Sequence, residues 1–407
     1  MRCVKFAFLG VMVSMLAGCA SQSNGGSPNV AVPPADQLPG YELIAPPTLD
    51  ETGFDATIDS PRGANGGSTQ QPSPNAPASY VSAPYKVVPV FFGTDREKIG
   101  STGFGGTRST TISYGQVSVS IPRDHQMGAL EDRSWWSLRF ASSPEKDVMV
   151  LSISPQSPDA FFAALRAKVS KSPKKSLFVF VHGYHVSFAD AARRTAQMAY
   201  DLGFDGAPVF FSWPSQDRML AYMVDEQSIA DAEPHLEHFL KDVLKQSTAE
   251  NVYLIAHSMG NRALTRALGT LAVAAPQEVK RIKEVILAAP DIGTVEFTEQ
   301  IVPGLRELGA PITLYASSND RALVLSEQLH GGKRAGESGD HLVVLNGIET
   351  IDASNTDTDL VGHSYYGDRR TVLADMWYLI NGDMRAHQRC CLKPELFRSR
   401  PYWIFLR

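Results

Sequence analysis

The segment Val252-Tyr-Leu-Ile-Ala-His-Ser-Met-Gly260-Asn-Arg-Ala-Leu264 places one serine between a buried apolar strand and an amphipathic helix, with no loop between them. A serine on so sharp a turn is lifted clear of the strand end, where its hydroxyl can attack an acyl carbon. Ala256 and Gly260 flank Ser258 at two residues on either side, and both are small. They have to be, because the strained turn brings strand and helix backbones together; Ala256 stands where the usual pattern has a glycine but keeps the steric logic. The positive end of the following helix dipole favours negative charge developing beside the serine. Ser258 is therefore the candidate nucleophile, and the chemistry it implies is acyl transfer.

Such a nucleophile needs an oxyanion site, a base and an acid. Phe178-Val-Phe-Val-His-Gly-Tyr-His185 reads as a strand ending in a His-Gly turn, with Gly183 allowing the tight bend. A turn of this kind supplies one backbone donor and the residue after the nucleophile the other, which assigns the amides of Tyr184 and Met259. His182 precedes the serine in the chain and is read as a structural residue bonded beneath the loop; His257 is expected to point away from the nucleophile. Downstream of Ser258 lie His330, His341, His363 and His387. His363, in Val361-Gly-His-Ser-Tyr-Tyr366, follows the last expected strand in a loop and is assigned as the base. Two acids compete. Asp291 follows one strand in Ala-Ala-Pro-Asp-Ile-Gly, and Asp320 follows the next in Ala-Ser-Ser-Asn-Asp-Arg. Placement after the penultimate strand favours Asp320 as the catalytic acid, with Asp291 the alternative.

The elements that must hold these groups are legible in the hydropathy. Strands are expected at Val87–Phe92, Ile112–Ile121, Val148–Ile153, Leu177–Val181, Pro208–Ser212, Val252–Ala256, Glu284–Ala288, Ile312–Tyr315 and His341–Leu345. From Leu177 onward these are near-continuous apolar runs, as in strands covered on both faces. Helical patterns lie between them at Ser187–Leu202, Met219–Gln246, Asn261–Leu271 and Arg369–Leu379. The alternation predicts an α/β fold, a mostly parallel central sheet with helices on both faces and the early strands as an antiparallel edge. One catalytic domain is expected over residues 85–385, followed by a C-terminal tail at 386–407.

The first residues read differently. Arg2 and Lys5 precede a short apolar stretch, Phe6 to Leu16, which ends in Leu16-Ala17-Gly18-Cys19. That pattern resembles the lipobox of bacterial lipoproteins, so residues 1–18 are expected to be a signal peptide and Cys19 the lipidated first mature residue. Ala20 rather than Asp follows the cysteine, which in Gram-negative lipoproteins points to the outer membrane, on its periplasmic face. Residues 19–84 are rich in Pro, Gly, Ser, Asn and Ala, a composition that cannot bury a core, and form a tether. The net charge of −5, without a basic cluster, excludes nucleic acid as a partner. Of the four cysteines, Cys3 and Cys19 are in this leader and Cys390-Cys391 lie near the other end, so no disulfide framework or zinc spacing exists. The histidines and acids show no metal-ligand spacing, and the triad chemistry needs no cofactor.

Several further residues bear on the site. Trp213-Pro214 closes a strand and is read as turn structure, an acyl-pocket wall being the other reading. Tyr222 and Asp225 share a helix face, Asp95 and Arg96 are read as a structural pair, and Trp135-Trp136 as an edge cluster or a membrane contact.

Taken together, Phe92-Gly-Thr-Asp-Arg96, Val117-Ser-Val-Ser-Ile-Pro122, Phe180-Val-His-Gly-Tyr-His-Val-Ser-Phe188, Phe211-Ser-Trp-Pro-Ser215, Ala256-His-Ser-Met-Gly-Asn-Arg-Ala-Leu264, Ala289-Pro-Asp291, Ser318-Asn-Asp320 and Gly362-His-Ser364 resemble a bacterial family of α/β-hydrolases of unknown function, DUF900, grouped with esterases and lipases. His185 stands where that family's pattern has Asn. The resemblance implies the α/β-hydrolase fold and a Ser-His-Asp triad, and leaves the substrate open. The expected activity is hydrolysis of an acyl ester. Transfer to another acceptor or amide cleavage by the same triad is the alternative, as is an inactive lipoprotein that binds an envelope partner.

Overall fold

The computed structural model describes residues 83–101, 103–131, 142–216, 218, 221–318, 321–354 and 370–406. Cys19, Trp135, Trp136, Asp320 and His363 lie outside these residues. The strands are β1 (Tyr85–Ile99), β2 (Gly103–Pro122), β3 (Met149–Gln156), β4 (Ser176–Val181), β5 (Ala207–Ser212), β6 (Asn251–His257), β7 (Ile282–Ala288), β8 (Ile312–Ala316), β9 (Ile348–Asp352), β10 (Leu392–Phe397) and β11 (Arg400–Phe405). The helices are α1 (Pro158–Val169), α2 (Phe188–Asp201), α3 (Tyr222–Gln246), α4 (Gly260–Ala274), α5 (Thr294–Glu296), α6 (Val302–Arg306), α7 (Arg321–His330) and α8 (Arg370–Gly382). A π-turn over Phe297–Ile301 joins α5 to α6.

All these strands belong to one sheet in the order β10-β11-β9-β8-β7-β6-β4-β5-β1-β2-β3. From β11 to β1 every neighbouring pair is parallel. The β1–β2 and β2–β3 pairs are antiparallel and form the expected edge. Helices cover both faces, and the strands divide their side chains between them with period two. Leu177, Val179 and Val181 of β4 pack with α1, α3 and α4 on one face, whereas Phe178 and Phe180 pack with α2 and α8 on the other. That double burial is why β4 to β8 are almost wholly apolar. Among the described residues no helix is long and apolar enough to cross a membrane.

Two segments depart from the sequence reading. The strand expected at His341–Leu345 is instead Ile348–Asp352, parallel to β8. The apolar run at 342–344 is buried but irregular, and Gly347 at φ +85° turns the chain into the strand that follows it. The segment read as a C-terminal tail extends the sheet: β10 and β11 form a hairpin, and β11 pairs in parallel with β9 through Trp403↔Ile351 and Ile404↔Asp352. Arg389, just before the hairpin, is buried against Asp375 of α8 at 2.8 Å and Glu349 of β9 at 3.2 Å.

A buried histidine holds the loop after β2. His125 Nδ1 lies 2.8 Å from Glu131 and Nε2 lies 2.8 Å from Asp201, at the end of α2. Burial opposes the imidazolium, but hydrogen bonds to Asp201 and Glu131 outweigh it and push the His125 pKa up to about 9. Because the folded value lies above that of the unfolded chain, the stabilisation is complete below about pH 6.5 and is lost as pH rises through 9. The unfolding free energy of wild type should therefore exceed that of His125→Gln by up to about 3 kcal/mol at pH 6, a gap that closes by pH 10. Denaturant titrations at both pH values check this; a gap independent of pH would show that the charge contributes nothing.

Candidate active site

The strand order reverses at β4, because the chain lays β5 on one side of it and β6 on the other. In open parallel sheets such a reversal opens a crevice at the carboxyl ends of the strands. Val181 of β4 is level with Ala256 of β6, and His257 with Ala288 of β7. The turns 182–184, 257–259 and 289–291 thus stand side by side along one rim.

Ser258 links β6 to α4 with φ +49°. For a non-glycine residue this left-handed backbone costs about 1–3 kcal/mol and persists only when its surroundings impose it. Here they do. Ser258 N–H donates to Ala288 O at 3.0 Å, and Ser258 O accepts from Asn261 N at 3.1 Å and Asp291 N at 3.2 Å. The Asn261 amide adds bonds to Ser258 O (2.9 Å) and Ala288 O (3.1 Å). Ser258 itself is only 2% exposed, and its Oγ has no hydrogen-bond partner among the described residues. A nucleophilic hydroxyl awaiting a base has this arrangement: the backbone is fixed and the oxygen is uncommitted.

The His-Gly turn rests directly on the serine. A Cβ on Gly183 would stand 3.0 Å from Ser258 Cβ and 3.1 Å from His257 Nδ1. A Cβ on Gly260 would stand 2.4 Å from His182 O and 2.7 Å from Val181 O. The amides at the start of α4, Met259 among them, are thereby held beside the 182–184 turn, and the first amides of a helix have no partner within it. Tyr184 is half-buried and packs edge-on against Tyr222, with ring centroids 5.4 Å apart.

The turn is braced from beneath, as expected of His182. Its Nδ1 donates to Gly183 O at 2.8 Å, so Nε2 accepts from Ser212 Oγ at 3.0 Å. Burial, reinforced by the Arg96 charge, pushes its pKa down to about 3 and keeps it neutral. Trp213 is fully buried, stacked on His182 at 5.1 Å and bonded to His182 O through Nε1 at 2.8 Å. This is the structural role, with no surface left for an acyl chain. Arg96 donates to Ser212 Oγ (2.8 Å), Gly105 O (2.9 Å), Ser215 O (3.0 Å) and Val186 O (2.7 Å). The expected Asp95–Arg96 pair is instead two anchors: Asp95 bonds His235 of α3 at 3.1 Å, because consecutive residues of a strand face opposite ways.

Asp225, on the same helix face as Tyr222, is fully buried and clamps the turn from the side. It accepts from Ser215 Oγ at 2.5 Å, Gln216 N at 2.8 Å and His185 N at 3.3 Å. His185 lies at φ +56°, a left-handed conformation that Asn, Asp and His adopt more readily than most residues. Histidine in place of the expected asparagine is thus compatible with this backbone.

Asp291, the alternative acid, is 1% exposed and its carboxylate is already engaged. Oδ2 accepts from Tyr222 OH at 2.5 Å and lies 3.4 Å from Arg262 Nη2; Oδ1 accepts from Ser326 Oγ at 2.5 Å and lies 3.5 Å from Arg334 Nε. Burial, then the Asp291 charge, raises the pKa of Tyr222. Arg262 also donates to Asp291 O at 2.6 Å and pairs with Glu226, which His330 contacts at 2.9 Å. His330 is thereby committed to Glu226 and to Ser326 O (2.9 Å). Arg262, Ser326 and Arg334 were not singled out from sequence; only Arg262, four residues after the nucleophile on the helix that follows it, had a positional signal. Among the described residues no group of three or more His, Cys, Asp or Glu is placed to hold a metal ion.

A family model described as an α/β-hydrolase of unknown function, DUF900, matches residues 157–380. No curated protein matches the chain. Similar solved structures include an uncharacterized protein from Bacillus cereus, 14% identical, with 53% of this chain and 61% of that one covered at a TM-score of 0.34. The chain thus spans less than two thirds of that protein. A predicted CIB-like hydrolase from Thermoplasma acidophilum is 15% identical over 57% of this chain and 91% of its own, at a TM-score of 0.29. A fungal esterase from Rhizomucor miehei is 7% identical over 73% and 84%, at a TM-score of 0.34.

Proposed function

The chain belongs to the DUF900 family of α/β-hydrolases, and on that premise we propose that it is a serine hydrolase cleaving carboxylic esters at the cell envelope. The observation that carries this reading is Ser258: a left-handed serine at the end of β6, with an Oγ that has no partner among the described residues and a His-Gly turn pressed against it. His363 takes the Ser258 proton as Oγ attacks the acyl carbon. The Tyr184 and Met259 amides hold the oxyanion, and His363 returns the proton to the departing alcohol. Water, deprotonated by the same imidazole, then attacks the acyl-serine, and the imidazolium returns the proton to the leaving Ser258 Oγ as the acid is released. Asp320 orients and stabilises the imidazolium. Support for Asp320 over Asp291 comes from register and occupancy: β8 ends at Ala316, shortly before Asp320, whereas the Asp291 carboxylate already serves Tyr222, Ser326 and Arg262.

A fluorophosphonate probe tests the reading. The folded protein should be labelled on Ser258, and Ser258→Ala should take no label. Absence of labelling in folded wild type would mean an inactive binding protein. A panel of p-nitrophenyl esters of increasing acyl length, with and without an alcohol acceptor, then separates hydrolysis from transfer. We also propose that lipid on Cys19 anchors the protein to the outer membrane through the 19–84 tether. Incorporation of a labelled fatty acid should be lost in Cys19→Ser, which should move to the soluble fraction; undiminished incorporation would rule the anchor out.

A further inference from the structure

Asp291 touches the nucleophile turn through its main chain and three other elements through its carboxylate. Its amide donates to Ser258 O at 3.2 Å, and its carbonyl accepts from Arg262 Nε of α4 at 2.6 Å. Both bonds fix the turn that carries Ser258. The side chain reaches Tyr222 at the start of α3 and Ser326 in α7, each at 2.5 Å, with Arg334 alongside at 3.5 Å. Helix α7 begins at Arg321, the residue after Asp320. Ser326 is fully buried and Tyr222 is 2% exposed, so these bonds are made away from water, where each counts for more. Tyr222 also supports the ring of Tyr184, on the other side of the serine.

We propose that Asp291 is a positioning residue that ties the Ser258 turn to α3 and α7, so that the nucleophile keeps its place at the carboxyl end of β6. This rests on the reading of Ser258 as nucleophile. A carboxylate is required because three kinds of donor, a phenol, a hydroxyl and the Arg262 guanidinium, converge on it from separate elements, with the Arg334 charge 3.5 Å away. An amide would offer one acceptor oxygen and turn an N–H₂ toward a donor.

The test is Asp291→Asn, with Ser326→Ala as a milder variant that keeps the carboxylate and both arginines. Hydrolysis of p-nitrophenyl butyrate is measured per labelled serine, the active sites being counted with the fluorophosphonate so that misfolded protein does not enter the rate. Displacing the reacting groups by a fraction of an ångström should lower kcat by about 10- to 100-fold in Asp291→Asn and less in Ser326→Ala, with KM within about twofold. The apparent pKa of the rising limb of kcat against pH should stay at its wild-type value in both, since neither variant removes the partner of the base. Full kcat per labelled site in both variants would overturn the inference while leaving the hydrolase reading intact. A shifted pH profile in Asp291→Asn would overturn it by making Asp291 the acid. Folded wild type that takes no label would overturn the hydrolase reading and this inference with it.

Discussion

Ser258→Ala is expected to lower kcat for short p-nitrophenyl esters by about 10⁶-fold, while Tm stays near its wild-type value. The magnitude follows from what the hydroxyl does. Without Oγ no covalent intermediate forms, and only the oxyanion donors and binding remain to speed attack by water. The fold should tolerate the change because Ser258 Oγ makes no bond among the described residues, and the turn is held through the backbone by Ala288, Asn261 and Asp291. Alanine must still occupy φ +49°, as serine does, so the strain is unaltered. Asp320→Asn should cost about 10⁴-fold by leaving the imidazole in the wrong tautomer. Steady-state kinetics with active-site counting measure both. A Ser258→Ala protein that retains even a hundredth of wild-type kcat would exclude a serine mechanism, and near-full activity in Asp320→Asn would remove Asp320 from the triad.

The readability of this site in the sequence follows chain distance. The elbow and the His-Gly turn are each a few consecutive residues, and their small residues answer to contacts made within the motif or with its neighbouring strand. The strands from β4 to β8 are legible for a similar reason: burial on both faces writes an unbroken apolar run. Strand β9 is not, because Ile348-Glu-Thr-Ile-Asp352 carries polar residues that are satisfied by partners outside the strand. Thr350 bonds Val343 O at 2.8 Å, and Glu349 lies 3.2 Å from Arg389. The nearby apolar run at 341–345 took the strand's signature while packing irregularly. The β10–β11 hairpin is hard to read because Pro394 and Pro401 argue against strands; Pro394 stands on the edge strand β10, and Pro401 lies near the start of β11, ahead of its pairing with β9 at Trp403 and Ile404. The Asp291 cluster has no sequence signature at all, since Tyr222 and Ser326 lie 69 and 35 residues away from it. Charged hydrogen-bond networks have no period, and only the fold brings their members together.

Gly260→Ala should lower both stability and rate, and a control lies in the same helix. A Cβ at 260 would fall 2.4 Å from His182 O and 2.7 Å from Val181 O. Both are backbone atoms of β4 and its turn, and neither can rotate away as a side-chain end would. Relief requires α4 to move off β4, which separates the Met259 amide from the 182–184 turn that forms the other half of the proposed oxyanion site. Overpacking of this kind costs about 3 kcal/mol, and losing one oxyanion donor costs about 10²- to 10³-fold in kcat. Gly269 lies farther along α4, and a Cβ there would meet nothing within 4 Å. Gly269→Ala should therefore raise stability by about 0.5–1 kcal/mol, the ordinary gain from replacing glycine within a helix, and leave kcat unchanged. Denaturant unfolding and ester hydrolysis per labelled site read both variants. The opposite signs separate a steric requirement at the elbow from a general effect of glycine in the helix. If Gly260→Ala folded with wild-type stability and rate, the approach of α4 to β4 would not be what sets the nucleophile in place.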